Sequence, residues 1–127
     1  MHLSLIALVV DDYDKAIAYY VGVLGFVLVE DTSLTPEKRW VVVSPSKGAQ
    51  TRLLLARAAN ERQSAAVGKQ SGGRVFLFLE TDDFDARFAA LTAAGVKFTD
   101  GPRRETYGTV AVFEDLYGNR WDLIEKR

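Results

Sequence analysis

Residues 9–26 read VVDDYDKAIAYYVGVLGF, and residues 79–98 read LETDDFDARFAALTAAGVKF. Asp11, Asp12, Tyr13 and Asp14 recur as Asp82, Asp83, Phe84 and Asp85, each 71 positions later. Gly25 recurs as Gly95 and Gly48 as Gly118, each 70 positions later, so one residue is gained or lost inside the helix between them. A fixed internal period means that the chain builds one unit twice, and the unit rather than the whole chain is what must be folded on paper.

Each copy starts with a short apolar run, LSLIALVV (3–10) in the first and RVFLFLE (74–80) in the second, both rich in strand formers and too short for a helix. An Asp pair then offers a side-chain N-cap, with acid in the first helical turn. The helix carries one apolar stripe: Ile17, Tyr20, Val21 and Leu24 in the first copy, Phe84, Phe88 and Leu91 in the second. Gly25 and Gly95 give the left-handed stop. Three short strands follow: FVLVED, RWVVVS and TRLLLA in one copy, VKFTD, TVAVFE and RWDLIE in the other. The spacing therefore predicts an α+β chain of two βαβββ modules, at about 1–56 and 73–127, joined by the polar linker RAANERQSAAVGKQSG at 57–72. One helix covers one face of a four-stranded sheet, yet the leading strands are apolar on both faces. Two curved sheets around a shared cleft would satisfy both.

Composition narrows the function. A chain of 127 residues with 48% apolar and 26% charged residues is one ordinary globular domain. Its net charge of −1 gives no nucleic-acid footprint, and the absence of cysteine excludes disulfides, thiolate nucleophiles and Cys-based zinc sites. LSLIALVV falls far short of a membrane span and lacks a signal peptide's basic flank, which points to a cytoplasmic protein. No nucleophile–base arrangement is visible, and GKQSGG lacks the spacing of a phosphate-binding loop.

The repeated strand–helix–three-strand pattern resembles the vicinal oxygen chelate superfamily, which includes glyoxalase I, bleomycin-resistance proteins, fosfomycin-resistance enzymes and extradiol dioxygenases. The residues that carry it are VVDDYDKAIAYYVGVLGF early and FEDLYGNRWDLIE (113–125) late. The resemblance spans essentially the whole chain. It implies a homodimer, a ligand cleft and, in the metal-dependent members, four side chains around a divalent cation. Transferred by position, those four fall on Leu5, Phe76, Asp122 and either Arg52 or Leu53. Only Asp122 is a plausible ligand, and catalytic sites of this kind need about three, so the expectation is that no metal is held there. A rebuilt site for a hard cation could use Asp122 with Glu80, which shares the face of Phe76. His2, the sole histidine, lies three residues from Leu5 on the opposite strand face and reads as a frayed terminus.

Asp122 stands between Trp121 and Leu123 in a strand that reads as buried, where a carboxylate is costly unless paired. Arg120 shares its face. Asp122 is either an anchor for a ligand or half of an ion pair with Arg120 or Arg52. Phe76 and Phe78 would line the cleft or fill it as core, and Trp40 and Tyr107 begin strands where rim contacts arise. Arg103 and Arg104 form a charged loop or an anion clamp. The favoured function is binding of a small apolar or aromatic molecule without chemistry. The alternatives are a divalent-metal lyase, isomerase or dioxygenase using Asp122 and Glu80, and a protein that only associates.

Overall fold

A computed structural model describes all 127 residues. The chain divides into two compact units, Met1–Gly68 and Lys69–Arg127, each built around its own four-stranded sheet. In the first, β1 (Leu5–Val10), α1 (Tyr13–Gly22), β2 (Val27–Ser33), β3 (Arg39–Ser44) and β4 (Arg52–Arg57) are followed by α2 (Glu61–Ala66). In the second come β5 (Val75–Glu80), α3 (Phe84–Ala93), β6 (Lys97–Glu105), β7 (Gly108–Glu114) and β8 (Arg120–Lys126). The strand orders correspond, β1-β4-β3-β2 and β5-β8-β7-β6, with the first pair in each parallel and the rest antiparallel. The expected α+β pair of βαβββ modules is what forms. No helix is long and apolar enough to cross a membrane.

The caps are the ones the Asp pairs announce. Asp12 accepts from the Lys15 backbone N–H at 2.9 Å, and Asp83 from that of Ala86 at 3.1 Å. The first N–H of α3 donates to Glu125 of β8 at 2.7 Å, which ties the helix start to the sheet. Both helices have ten residues, so the register change lies beyond the helix and not inside it. Module one has the additional residue in the turn, where Leu24 is buried, before Gly25 takes φ 78°.

Tyr13, Ala16, Tyr20 and Leu24 of the α1 segment are buried, while Ile17 and Val21 are only half-buried. They cover Val41 and Val43 of β3 and Leu53 and Leu55 of β4. Module two uses aromatics instead. Phe84, Phe88, Phe98, Phe113 and Trp121 form one continuous file from α3 across the sheet, with successive ring centroids 4.5–5.8 Å apart. The tight turn FEDLYGNR is held by Asp115, which is buried and accepts from the backbone N–H groups of Tyr117 and Asn119 and from the Asn119 side chain at 2.8–2.9 Å.

The linker expectation needs correction. Within 57–72, residues Glu61–Ala66 form α2, capped by Asn60 accepting from Gln63 N–H at 2.9 Å, and this helix lies against β1. Its composition is polar because none of its residues is buried, which removes the apolar stripe that would announce a helix.

Candidate functional site

In both modules the sheet face away from the long helix carries the candidate residues. Register places them row by row, because directly paired residues on neighbouring strands project to the same side. In module two, Phe78, Asp122, Val112 and Asp100 form one row. The equivalent row in module one is Ala7, Leu54, Val42 and Glu30. Asp122 therefore corresponds to Leu54, and neither Arg52 nor Leu53 is its mate. Val42 faces Leu54 while Val112 faces Asp122, so the β3–β4 connection is two residues longer than its counterpart. A bulge between Val75 and Leu77 takes Phe76 out of strict alternation, so period-two counting from Phe78 does not place it on the same face as expected.

Asp122 is half-buried rather than buried. Burial pushes its carboxyl above the ordinary 3.8, Arg103 and Arg120 pull it back, and Asp100 pushes it up again. It makes no ion pair within 4 Å, with Arg120 or with Arg52. Arg120 donates instead to the Gly73 carbonyl at 3.3 Å, and Arg52 to that of Ala49 at 3.2 Å. Arg103, expected in a loop, lies on β6 facing the Asp122 side. It bonds Asp100 at 3.2 Å and Glu105 at 2.8 Å, and Asp100 chiefly holds its pKa up. Arg104 points the other way, to Thr109 at 3.2 Å, so the two arginines form no joint clamp. Phe78 is 67% exposed, and Tyr107 is 54% exposed in the β6–β7 turn. Glu80 is bonded to Lys126 at 3.1 Å.

Desolvation gives Asp122 a pH signature. A folded-state pKa above the unfolded value contributes stability fully present below 3.8 and lost as the pH rises through the folded value. Asp122→Asn lacks that loss. Its melting temperature should match wild type below pH 3.8 and exceed it modestly at pH 7, as thermal scans from pH 3 to 7 would read.

Of the four positions that the family resemblance implies for a divalent cation, only Asp122 carries a metal-binding oxygen. Leu5, Leu54 and Phe76 offer no donor, and within either unit no three His, Cys, Asp or Glu side chains converge.

Concavity is found on module one. A hollow of about 500 Å³ is lined by Leu5, Val29, Glu30, Trp40, Val42 and Arg52, among others. His2 also lines it, since β1 starts only at Leu5 and strand alternation does not reach residue 2. A second hollow of about 760 Å³ opens where β3 begins and β4 ends, between the start of α1 and α2. Trp40, half-buried, lines both. Both volumes lie in the range of small-molecule sites.

The larger hollow contains residues the sequence did not single out. Arg39 bonds Asp31 through both its Nε at 3.1 Å and Nη2 at 2.6 Å, and Asp14 through Nη1 at 2.9 Å. These carboxylates hold its pKa above the ordinary guanidinium value, and Arg39 in turn holds that of Asp31 down. The Arg39 backbone N–H donates to the Tyr13 hydroxyl at 3.2 Å. One signal was available: the repeated DDYD and DDFD motifs differ only in that hydroxyl, so module one alone has a polar group at this point.

Two mixed sheets, each with a helix on one face and candidate polar groups on the other, make a paired-module α+β fold. The family model for the Glyoxalase/Bleomycin resistance protein/Dioxygenase superfamily matches residues 2–123, and the chain belongs to that superfamily. An uncharacterised protein of Shewanella frigidimarina is 55% identical over 94% of this chain and 90% of its own. Among solved structures, TnmS3, an antibiotic binding protein from Streptomyces sp. CB03234, is 35% identical with a TM-score of 0.83, covering 100% of this chain and 97% of its own. A superfamily member from Sphaerobacter thermophilus is 31% identical with a TM-score of 0.75, over 99% and 98% of the two chains.

Proposed function

We propose that the protein binds a drug-sized, largely apolar or aromatic molecule on the open sheet face of module one and does so without chemical change, as a cytoplasmic homodimer. The observation that carries the reading is Trp40, a half-buried aromatic forming a common wall of two hollows on one sheet. Leu5, Val29 and Val42 supply apolar contact beside it, and Arg52 and Glu30 charged handles. Similarity to an antibiotic binding protein supports the class of ligand.

The chain has two tryptophans, Trp40 and the buried Trp121, so a Trp121→Phe protein makes Trp40 the sole reporter. Titrating it with a panel of aromatic antibiotics, bleomycin among them, should give saturable quenching with at least one compound recovered unchanged by mass spectrometry. Absence of saturation throughout the panel would sink the binding reading. Turnover that needs a divalent metal and is lost in Asp122→Asn would put the metal-dependent enzyme in its place, although Glu80 would first have to leave Lys126.

A further inference from the structure

We infer that the larger hollow, between the start of α1 and α2, is a subsite for an aromatic anion, with Arg57 receiving the carboxylate and Trp40 the ring. The inference rests on the small-molecule reading above and adds to it the charge of the ligand and the residue that selects it.

Two guanidinium groups press on one ring. The Cζ atoms of Arg39 and Arg57 lie 5.2 and 5.3 Å from the centroid of Tyr13. Each gains from the ring's negative face, but two cations on one ring also repel. Arg39 is relieved of this by Asp14 and Asp31. Arg57 is not, having no carboxylate within 4 Å, and neither has its neighbour Lys38. Of the acids on the same wall, Asp11 pairs with Lys15 at 3.2 Å, while Glu37 makes no ion pair and accepts from the Thr35 hydroxyl at 3.5 Å. The residues lining the hollow thus carry three cations, Lys38, Arg39 and Arg57, against two acids, Asp11 and Glu37, and Arg57 and Lys38 are the cations without an ion pair.

Arg57 is also held in place before any ligand arrives. Its Nη2 donates to the Glu37 carbonyl and its Cζ rests against the Tyr13 ring, so two contacts already restrain the group that would meet an anion. A guanidinium presents paired donors that match a carboxylate, which a lysine ammonium does not. Leu54, Ala56 and Trp40 on the same wall give the apolar surface for a ring. Gln63 of α2 lines the other side, its Oε1 accepting from the Ala59 N–H at 2.7 Å and its amide N–H₂ being a further donor group. An aromatic carboxylate meets all three features at once, and a neutral or cationic ring meets only one.

The test compares 2-naphthoate, 2-naphthalenemethanol and 2-naphthylmethylamine by calorimetry on the full-length protein at low salt. Wild type is set beside Arg57→Gln, Arg57→Lys and Arg52→Gln. Expected is a preference for naphthoate over the alcohol of about tenfold or more, abolished in Arg57→Gln and only partly kept in Arg57→Lys. Equal affinity for the three compounds, or a preference that survives Arg57→Gln, overturns the inference. A preference lost in Arg52→Gln alone also overturns it, moving the anion to the smaller hollow while the small-molecule reading stands. Melting temperatures of the variants confirm that each is folded, and Arg57→Lys, which retains the charge, guards against a packing defect in Arg57→Gln.

Discussion

Phe113→Ala should be the most damaging single substitution in module two, lowering stability by about 3–5 kcal/mol. Phe113 is fully buried and sits in the middle of the aromatic file, 5.7 Å from Phe98 and 5.8 Å from Trp121. Truncation removes the transfer free energy of the ring and leaves a hole whose neighbours are themselves rigid rings, so the gap closes poorly. Domains of this size are stable by only about 5–15 kcal/mol, and the loss would appear as a fall in melting temperature of roughly 10–20 °C. Phe78→Ala supplies the contrast. That ring is 67% exposed, and its truncation should stay within about 0.5 kcal/mol. Similar losses in the two variants would mean that the file is not the core of module two.

Trp40→Ala should have the largest effect on binding while leaving the fold intact. Buried aromatic anchors at the centre of a binding surface carry about 2 kcal/mol or more, a loss of roughly 30-fold in affinity. Trp40 is the one side chain common to the two hollows, so its removal merges and flattens both. The measurement is calorimetric affinity for any compound that quenches Trp40, in wild type and variant, with Tyr107→Ala alongside. Tyr107 stands 54% exposed in a turn and does not line either hollow, so its truncation should leave affinity unchanged. If Tyr107→Ala weakens binding as much as Trp40→Ala does, the ligand sits elsewhere.

The fold could be read in the sequence because every module-level signal occurs twice. Asp12 and Asp83 cap, Gly25 and Gly95 stop, and each agrees with the strands around it. What resisted reading depends on counting across connections. Arg52 looks like the mate of Asp122 when one counts from the shared glycines. Strand pairing shows Leu54 there, since hairpin length cannot be known before the pairs are seen. Phe76 failed for a similar reason, because a bulge adds a residue without changing composition. The Arg39 cluster draws on Tyr13, Asp14 and Asp31, up to 26 positions away, and no local pattern announces it. α2 has an Asn60 cap but no buried face, and six polar or small residues look the same in a helix as in a coil. Pro102 makes Arg103 read as a loop residue, yet β6 runs through both.

The longer connection between β3 and β4 has a bearing on how this chain tolerates insertion and deletion. A strand presents alternate side chains to opposite sides, so lengthening a hairpin by one residue would turn Leu53 and Leu55 out to water and bring Arg52 and Leu54 against the helix. A change of two preserves every orientation and only moves the strand along by one rung. The two copies of the module have diverged by that even step, which replaced Asp122's counterpart with Leu54 while leaving the interior undisturbed. Segments between Ser44 and Arg52 should therefore accept paired insertions, and the binding surface can be rewritten by sliding a strand instead of substituting its residues.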